Sequence, residues 1–486
     1  MCIVAHLRHN YKLDFREAKL RIKEEFKKFG YFWLPSAPER KMPGTLIITD
    51  GGNIELEVVG WFEEIIEWLN TAQNGKDELE RIIGHIEDHG LVTLEDCFYK
   101  KKSISDVGGI SKFSVFVNKA LIGVAYEDNG IVSLNTFKFS VEGIDEWVGL
   151  SGIKVENQWE KRTASITYSQ PEDISLKLNN GMNLLITFSR TLPENPNTTE
   201  AKITQKTYFK LVSEQERPLN DFTSAASKIT TLLGFAIDKT VCLEQVSATF
   251  DAIPQDISNN KTVPFSVSVY YASQPYTKLE QKIDRHRMLF RFGQIREDAE
   301  RIVNNWFDAY EEIDPALNLY FSTKTGAYQY LEGKFLALAQ GLETYHRRTS
   351  NEKLMDEAVF KELTENLIKQ CPEENKEWLS GRLQHGNELN LGRRIKNIIE
   401  PFKKFIGTSK KREKLITTIV ATRNYLTHYD KSLESKAVSG RDLSWLCLKM
   451  EAIFQLHLLQ VLGFTQEEVQ SVFDHSYELQ KKLKEI

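Results

Sequence analysis

The stretch Thr45–Val58, TLIITDGGNIELEV, determines the fold class expected for the first part of the chain. Ile54, Leu56 and Val58 alternate with charged residues, and the turn residues 50–53 separate them from Thr45–Thr49, a pattern typical of a β-hairpin. Similar runs with turn residues between them continue for some 240 residues, and we predict strands at Arg81–Ile86, Leu91–Phe98, Lys112–Val117, Ala120–Tyr126, Ser133–Val141, Ala164–Tyr168, Asp173–Leu178, Asn183–Phe188, Ala201–Leu211, Pro264–Tyr271 and His286–Phe292.

One helix is expected to interrupt these strands. Asp221 is a candidate N-cap, and Ala225, Ile229 and Leu232 form an apolar stripe before Gly234. Residues 1–295 are therefore interpreted as a β-rich module, sheet-like or sandwich-like, which could contain two sheets.

From about Gln294 the spacing of apolar residues changes to the helical period of about 3.6. Six helices are predicted around the apolar positions of 302–310, 330–345, 360–368, 383–399, 415–426 and 443–459, and Pro401 should interrupt or end the fourth. Residues 296–486 are interpreted as an all-α bundle, so the chain is expected to be an α+β protein of two domains.

The composition excludes several classes of protein. The 486 residues carry a formal charge of −5, which argues against a uniformly basic nucleic-acid binder. No apolar stretch approaches the ~20 residues that span a bilayer, and no signal-peptide core precedes Phe15. The five cysteines are widely spaced, so a reduced, cytoplasmic protein without a membrane partner is expected.

The segment Lys411–Asp430, KREKLITTIVATRNYLTHYD, carries the chemistry that stands out. On a helix Asn424 and His428 stack at i, i+4, and Arg423 and Thr427 stack beside them, with Arg423 and His428 about 140° apart. Imidazole can move a proton near neutral pH, and guanidinium offers a permanent charge and a fork of donors that matches phosphate. The alternative is that both are surface cations near a helix C-terminus.

A concentrated basic stretch precedes this segment. Residues 391–414 hold nine Lys or Arg against two Glu, a formal charge of +7 in a chain that is acidic overall. Such a stretch is typical of a surface that binds a phosphate backbone, although a solvated helix face would look the same. The candidate RNA-binding residues are Arg393, Arg394, Lys410, Lys411, Arg412 and Lys414.

These residues carry a resemblance to a known family. Arg423–His428, RNYLTH, resembles the Arg-x4–6-His signature of the HEPN superfamily, with the Asn directly after Arg that its active members favour. Leu331–Arg348 and Gly386–Arg394 are similar to the first long helix and the middle helix entry of ApeA-like HEPN domains. Short motifs resemble the β-rich domain that precedes HEPN in that group: Phe32–Pro35, Pro43–Leu46, Leu56–Gly60 and Val92–Cys97.

The resemblance implies a metal-independent endoribonuclease that acts in abortive phage defence and needs no cofactor. His428 would be the general base or acid at the ribose 2′-hydroxyl, Arg423 would stabilise charge on the phosphorane-like transition state, and Asn424 would orient the phosphate or the other two side chains. Two HEPN protomers, in a homodimer or larger homo-oligomer, would form a composite site. Thr427, Tyr429 and Glu343 are possible lining residues.

The expected substrate is cellular RNA, with tRNA first, and attack by its 2′-hydroxyl would leave a 2′,3′-cyclic phosphate. The β-rich module would sense a phage-encoded trigger or restrain the toxin. Two other functions remain open: a module that binds RNA without cutting it, and a protein that recognises a phage component and uses its bundle for dimerisation. His85 and His89 do not suggest a metal site, because they lie in a predicted hairpin, where i, i+4 side chains do not converge.

Overall fold

The computed structural model describes residues 3–4, 18–21, 25–62, 78–103, 111–128, 130–193, 199–257, 261–278 and 282–484. The chain forms two compact units, a β unit (Met1–Asn304) and a helical unit (Asn305–Ile486). The division falls inside one helix, Ala299–Ser322. The predicted fold class, a β-rich region followed by a helical bundle, is confirmed.

The described strands of the β unit are β1 (Ile3–Val4), β2 (Ala18–Lys19), β3 (Phe26–Trp33), β4 (Met42–Thr49), β5 (Asn53–Val59), β6 (Glu78–Ile86), β7 (Gly90–Ser103), β8 (Lys112–Ile122), β9 (Ala125–Tyr126), β10 (Ser133–Val141), β11 (Ile153–Gln158), β12 (Thr163–Tyr168), β13 (Ile174–Lys177), β14 (Asn183–Thr191), β15 (Thr204–Pro218), β16 (Leu243–Ile257) and β17 (Lys261–Tyr271). Its helices are α1 (Ile144–Val148), α2 (Leu219–Ile237) and α3 (Phe292–Ile295).

Within the described ranges, thirteen of these strands form one antiparallel sheet. Strands β8, β5, β4, β3, β6 and β7 close into a ring, because β7 pairs with both β6 and β8. Leu46 lies opposite Leu56, which lies opposite Val115, and all three are fully buried in this part of the sheet. From β8 the sheet continues through β17, β16, β10, β15 and β14 to β13.

A close approach explains one glycine of the ring. A Cβ atom at Gly84 would lie 2.5 Å from the ring of Phe32, which is fully buried on the neighbouring strand β3. Since real Cβ atoms do not approach so closely, only glycine leaves room for this aromatic side chain.

The helix α2 covers part of the extended sheet. It packs on β10 and β15 and buries Ala225, Ile229 and Leu232, the stripe predicted from the sequence. The predicted N-cap is wrong: the helix begins at Leu219 after Pro218, so Asp221 lies inside its first turn, where its charge favours the helix dipole.

One other local prediction in the β unit is wrong, and the predicted break between the strands Lys112–Val117 and Ala120–Tyr126 is absent. His286–Phe292 is not a strand, because the Asp284 side chain accepts a hydrogen bond from the His286 N–H at 2.9 Å and starts a short 3-10 helix at Arg285–Arg287. Lys112–Val117 belongs to one longer strand, β8, which ends at Ile122 before Gly123 takes a φ of 112°. In place of the two sheets that the sequence suggested, the described strands form one 13-stranded sheet and two 2-stranded sheets, β1 with β9 and β11 with β12.

The helices of the second part of the chain are α4 (Ala299–Ser322), α5 (Leu331–Thr349), α6 (Glu357–Gln370), α7 (Lys376–Leu383), α8 (Leu391–Ile399), α9 (Lys403–Ile406), α10 (Ser409–His428), α11 (Gly440–Val461), α12 (Gln466–His475) and α13 (Tyr477–Lys484). The predicted fourth helix is in fact α7 and α8, with a turn between them, and α8 ends before Pro401 as expected. The helices α12 and α13 were not predicted.

The core of the helical unit is built around α11. This helix is buried on most of its circumference, as expected of a helix that neighbours surround on all sides. Phe454 packs against Tyr320 with ring centroids 4.9 Å apart and against Tyr345 at 6.1 Å. The helices α5, α8 and α10 also pack against one another, so α10 is held in place by two neighbouring helices.

Candidate functional site

The helix α10 carries the predicted catalytic residues in its last two turns. Leu415, Ile419 and Thr422 are buried at positions i, i+4 and i+7, so this face of the helix packs inward. The helix ends at His428 because Tyr429 takes a left-handed conformation, with φ 51° and ψ 35°, and its N–H bonds to the Tyr425 carbonyl at 2.6 Å.

The side chains of Arg423 and Asn424 meet at this end of the helix. Arg423 is half-buried, and its Nη1 donates to Asn424 Oδ1 at 3.2 Å. His428 is exposed, one turn after Asn424, and none of the described residues forms a hydrogen bond with its imidazole. The end of α10 therefore carries an exposed imidazole without a hydrogen bond to a described residue and, on the preceding turn, a guanidinium bonded to an amide oxygen.

Thr427 does not present its hydroxyl to the site. Although the residue is exposed, its Oγ1 donates to the Arg423 carbonyl at 2.7 Å, on the preceding turn of the same helix.

The segment after α10 is fastened back onto the helix. Asp430 accepts a hydrogen bond from the Ser432 N–H at 2.9 Å and caps a 3-10 helix at Lys431–Lys436, and the Val438 N–H donates to Thr422 Oγ1 at 3.2 Å. The bonds from Ser432, and secondarily the nearby charge of His428, hold the pKa of Asp430 below its ordinary value. Sequence reasoning did not single out Asp430, although it stands only two residues after His428.

Tyr429 is a large exposed side chain in a strained backbone conformation. A positive φ is costly for a residue other than glycine, and 67% of Tyr429 is accessible to solvent. Its ring stands edge-on to Tyr425 with centroids 5.7 Å apart. The residue that follows His428 in the chain is therefore an exposed aromatic side chain whose ring contacts Tyr425.

Five of the six predicted RNA-binding residues are exposed or half-buried, and the sixth, Arg394, is buried. Arg393, Lys410, Lys411 and Lys414 are exposed, and Arg412 is half-buried and donates to the Gly407 carbonyl. Lys410, Lys411 and Arg412 lie in the first turn of α10, which is described in full and has no acidic residue there. Cations at this end of a helix are unfavourable to its dipole.

Lys449 of α11 joins this group. Burial, and then the charges of Lys411 and Lys414, lower the pKa of the Lys449 ammonium group. Lys411, Lys414 and Lys449, called the basic cluster below, form no ion pair with any described residue. The sequence offered no signal for Lys449, because it lies on another helix far along the chain.

Arg394 lies apart from the exposed group. Only 4% of it is accessible, and its guanidinium donates to the Leu389 carbonyl at 2.9 Å and to His346 Nδ1 at 3.3 Å, with Glu388 at 3.5 Å. Burial is the main cause that lowers the pKa of Arg394. The side chain is committed to the interior of the bundle and is unavailable to a phosphate.

Glu343 is also engaged elsewhere. Its carboxylate accepts from Arg347 at 3.0 Å on the same helix, α5, and none of the described hydrogen bonds joins it to Arg423 or His428. A cavity of about 620 Å³ opens nearby, lined by residues that include His346, Glu352 and Asn397, but neither Arg423 nor His428 lines it.

The described residues contain neither a cluster of metal ligands nor a membrane-spanning helix. Over these ranges no group of three or more His, Cys, Asp or Glu is arranged to hold a metal ion. Among the same residues, no helix has the length and apolar character needed to cross a membrane.

Comparison with known proteins assigns both parts of the chain. The family model for the ApeA N-terminal domain 1 matches residues 27–306, and the model for the Apea-like HEPN domain matches residues 336–468, which include Arg423 and His428. No curated protein and no solved structure matches the chain. HEPN domains are generally ribonucleases, and this architecture is compatible with a nuclease function in defence. The chain belongs to the ApeA family, with an ApeA N-terminal domain followed by an Apea-like HEPN domain.

Proposed function

We propose that this chain is a metal-independent endoribonuclease that cuts cellular RNA in the cytoplasm during an abortive response to phage infection. One observation carries the proposal. The imidazole of His428 is exposed about one turn from Arg423, which is half-buried and whose guanidinium donates a hydrogen bond to Asn424. The first substrate to test is tRNA, and the β unit is proposed to respond to a phage-encoded trigger.

RNA supplies its own nucleophile, so the protein has to move protons and stabilise charge. His428 accepts the proton of the ribose 2′-hydroxyl as the oxygen attacks the adjacent phosphorus. Arg423 faces the negative charge that builds on the phosphate oxygens, and Asn424 keeps the guanidinium oriented. The bond to the 5′-oxygen breaks, and this oxygen leaves with a proton that an acid provides.

A second copy of the chain is proposed to supply that acid. His428 lies at the exposed end of α10, where the same residue of a second protomer can approach across a twofold axis. One imidazole would then act as base while its twin, protonated, acts as acid. The proposed assembly is therefore a homodimer or a larger homo-oligomer formed through the helical unit.

The product ends test the proposed reaction. We expect purified protein to cut total RNA in the presence of EDTA and to leave 2′,3′-cyclic phosphate and 5′-hydroxyl ends. The ends are identified by their ligation and phosphorylation behaviour before sequencing. Cleavage that needs a divalent ion and leaves 5′-phosphates would contradict internal attack by the 2′-hydroxyl.

Binding without cleavage is the second candidate, since the basic cluster by itself could hold an RNA backbone. In either case Lys411→Ala with Lys414→Ala should weaken RNA binding for all sequences alike, and each lost phosphate contact should reduce the salt slope by about 1. The measurement is RNA affinity against salt concentration for the His428→Ala protein. Lys154→Ala with Lys161→Ala removes the same charge from exposed positions of the β unit and should leave the slope unchanged.

A further inference from the structure

A two-helix arm projects from the helical unit. It comprises residues 351–386, including α6 and α7, and none of these residues is buried. The base of the arm is well fixed: Asn387 accepts from the Met355 N–H at 2.9 Å and donates to the Met355 carbonyl at 3.0 Å, and the Leu354 N–H donates to the Asn387 carbonyl at 3.0 Å. The arm is therefore an ordered projection with little core of its own.

The arm exposes an apolar face. Val359, Leu363 and Leu367 follow one another at i, i+4 and i+8 on α6 and are 57%, 43% and 42% exposed, while Trp378 on α7 is 63% exposed. Phe360 and Ile368, turned by about 100° from this stripe, are half-buried. Since α6 already has this second apolar side for packing within the arm, the exposed stripe is not needed there. Contiguous exposed apolar surface of this kind is typical of an interaction site.

Charge indicates what covers this face. Residues 351–386 hold eight acidic and five basic residues, a formal charge of −3. This charge disfavours RNA as the occupant and makes two arms repel each other. The complementary surface is present in the same helical unit: Lys411 and Lys414 lie at i and i+3 on α10, and no residue of the basic cluster forms an ion pair with a described residue.

The surface around the basic cluster also offers apolar contacts. Trp445 lies one turn before Lys449 on α11 and is half-buried, and Leu448 beside it is half-buried as well. The cluster thus combines positive charge with partly exposed apolar side chains, as the arm combines negative charge with an apolar stripe. The length of α6, about 21 Å for its 14 residues, suits a contact with several turns of a helix.

We infer that the arm of one copy docks on the basic cluster of a second copy of this chain. Each copy carries both halves of the contact, so a twofold axis allows the two arms to exchange and forms the junction twice. Lys411 lies about 25 Å along α10 from His428, so an arm at the cluster leaves the catalytic end of the helix uncovered. A consequence that rests on the proposed function is that RNA and the arm compete for the same ammonium groups.

Charge reversal tests the contact without reference to activity. The arm variant is Glu362→Lys with Glu365→Lys, and the cluster variant is Lys411→Glu with Lys414→Glu, both in the full chain carrying His428→Ala. We expect the parent to self-associate and each variant alone to do so at least about tenfold more weakly, because like charges then meet at both junctions. A mixture of the two variants should associate as the parent does, since both of its junctions pair opposite charges.

Sedimentation velocity over a range of concentrations measures this association, and thermal melts verify that each variant is folded. Glu156→Lys with Glu160→Lys changes exposed positions of the β unit by the same charge and should not alter association. Leu363→Ser with Leu367→Ser removes the stripe without a change of charge and should also weaken it. Three results would each overturn the inference. The parent could be monomeric, the cluster variant could associate as the parent does, as in an arm-to-arm dimer, or the mixture of variants could fail to regain the association of the parent.

Discussion

Replacing His428 with alanine should reduce RNA cleavage by about 10²–10⁴-fold, the usual contribution of general acid–base catalysis. The loss should appear in the cleavage rate at saturating RNA, since the exposed imidazole forms no hydrogen bond with a described residue and its removal costs the fold little. Initial rates on a labelled tRNA in EDTA provide the measurement. Expression of the variant should likewise no longer arrest cell growth.

The role of Arg423 is tested by comparing two substitutions, because this side chain is half-buried and bonded to Asn424. Arg423→Ala should lose about 10²–10³-fold, the scale of a lost donor to a developing oxyanion. Arg423→Lys keeps the charge but not the fork of donors, so we expect partial activity.

Matched controls separate these losses from general damage. His475 is the last residue of α12 as His428 is of α10, and it is also exposed, so His475→Ala should cleave at the wild-type rate. Arg441 is exposed on α11, and Arg441→Ala should likewise be active. Wild-type cleavage by folded His428→Ala protein would show that His428 does not move the proton and would overturn the proposed mechanism, whereas wild-type protein that retains RNA without cutting it would favour the RNA-binding alternative.

The hairpin at residues 45–58 shows how far local pattern determines this fold. Alternation placed Ile54, Leu56 and Val58 on one face, and all three are buried in the strand predicted for them. The closure of the sheet was beyond such reasoning, because the pairing of β7 with β8 depends on which long-range edges meet. His286–Phe292 has a strand-like composition, yet a single side-chain cap from Asp284 turns the backbone into a 3-10 helix.

Among the charged residues, too, the position of some could be predicted from the sequence and that of others could not. A count of charges treats Arg393 and Arg394 alike, but neighbours on a helix differ by about 100°, and Arg394 shares the buried face of Ile398. Helical phase could have separated them before any coordinates were known. Lys449 could not have been found in this way, since it lies on α11 and only the tertiary fold brings it within electrostatic range of Lys411 and Lys414 on α10.

Loss of the Glu451 carboxylate should strongly destabilise the helical unit. It is 2% exposed, and its carboxylate lies 2.5 Å from Lys324 Nζ, 2.6 Å from Lys482 Nζ and 3.6 Å from Lys334 Nζ. Burial alone would raise the pKa of Glu451, but the three ammonium groups together hold it well below its ordinary value. Glu451→Gln leaves these cations facing one another, so we expect unfolding to become easier by about 3–5 kcal/mol.

The pH dependence gives this prediction a second readout. Since the pKa of Glu451 is depressed in the folded state, its contribution is complete above the ordinary carboxylate pKa and is lost as pH falls below it. Denaturant unfolding, followed by the helical signal, should therefore show a steeper loss of stability in acid for wild type than for Glu451→Gln.

Adding Lys482→Met to the variant should recover part of the lost free energy of unfolding, because one of the mutually repelling ammonium groups is removed. Glu434→Gln changes an exposed carboxylate and should lie within about 0.5 kcal/mol of wild type. An equally small effect of Glu451→Gln would contradict the prediction. It would mean that the three lysines are solvated well enough to need no buried counter-charge, although they enclose the Glu451 carboxylate.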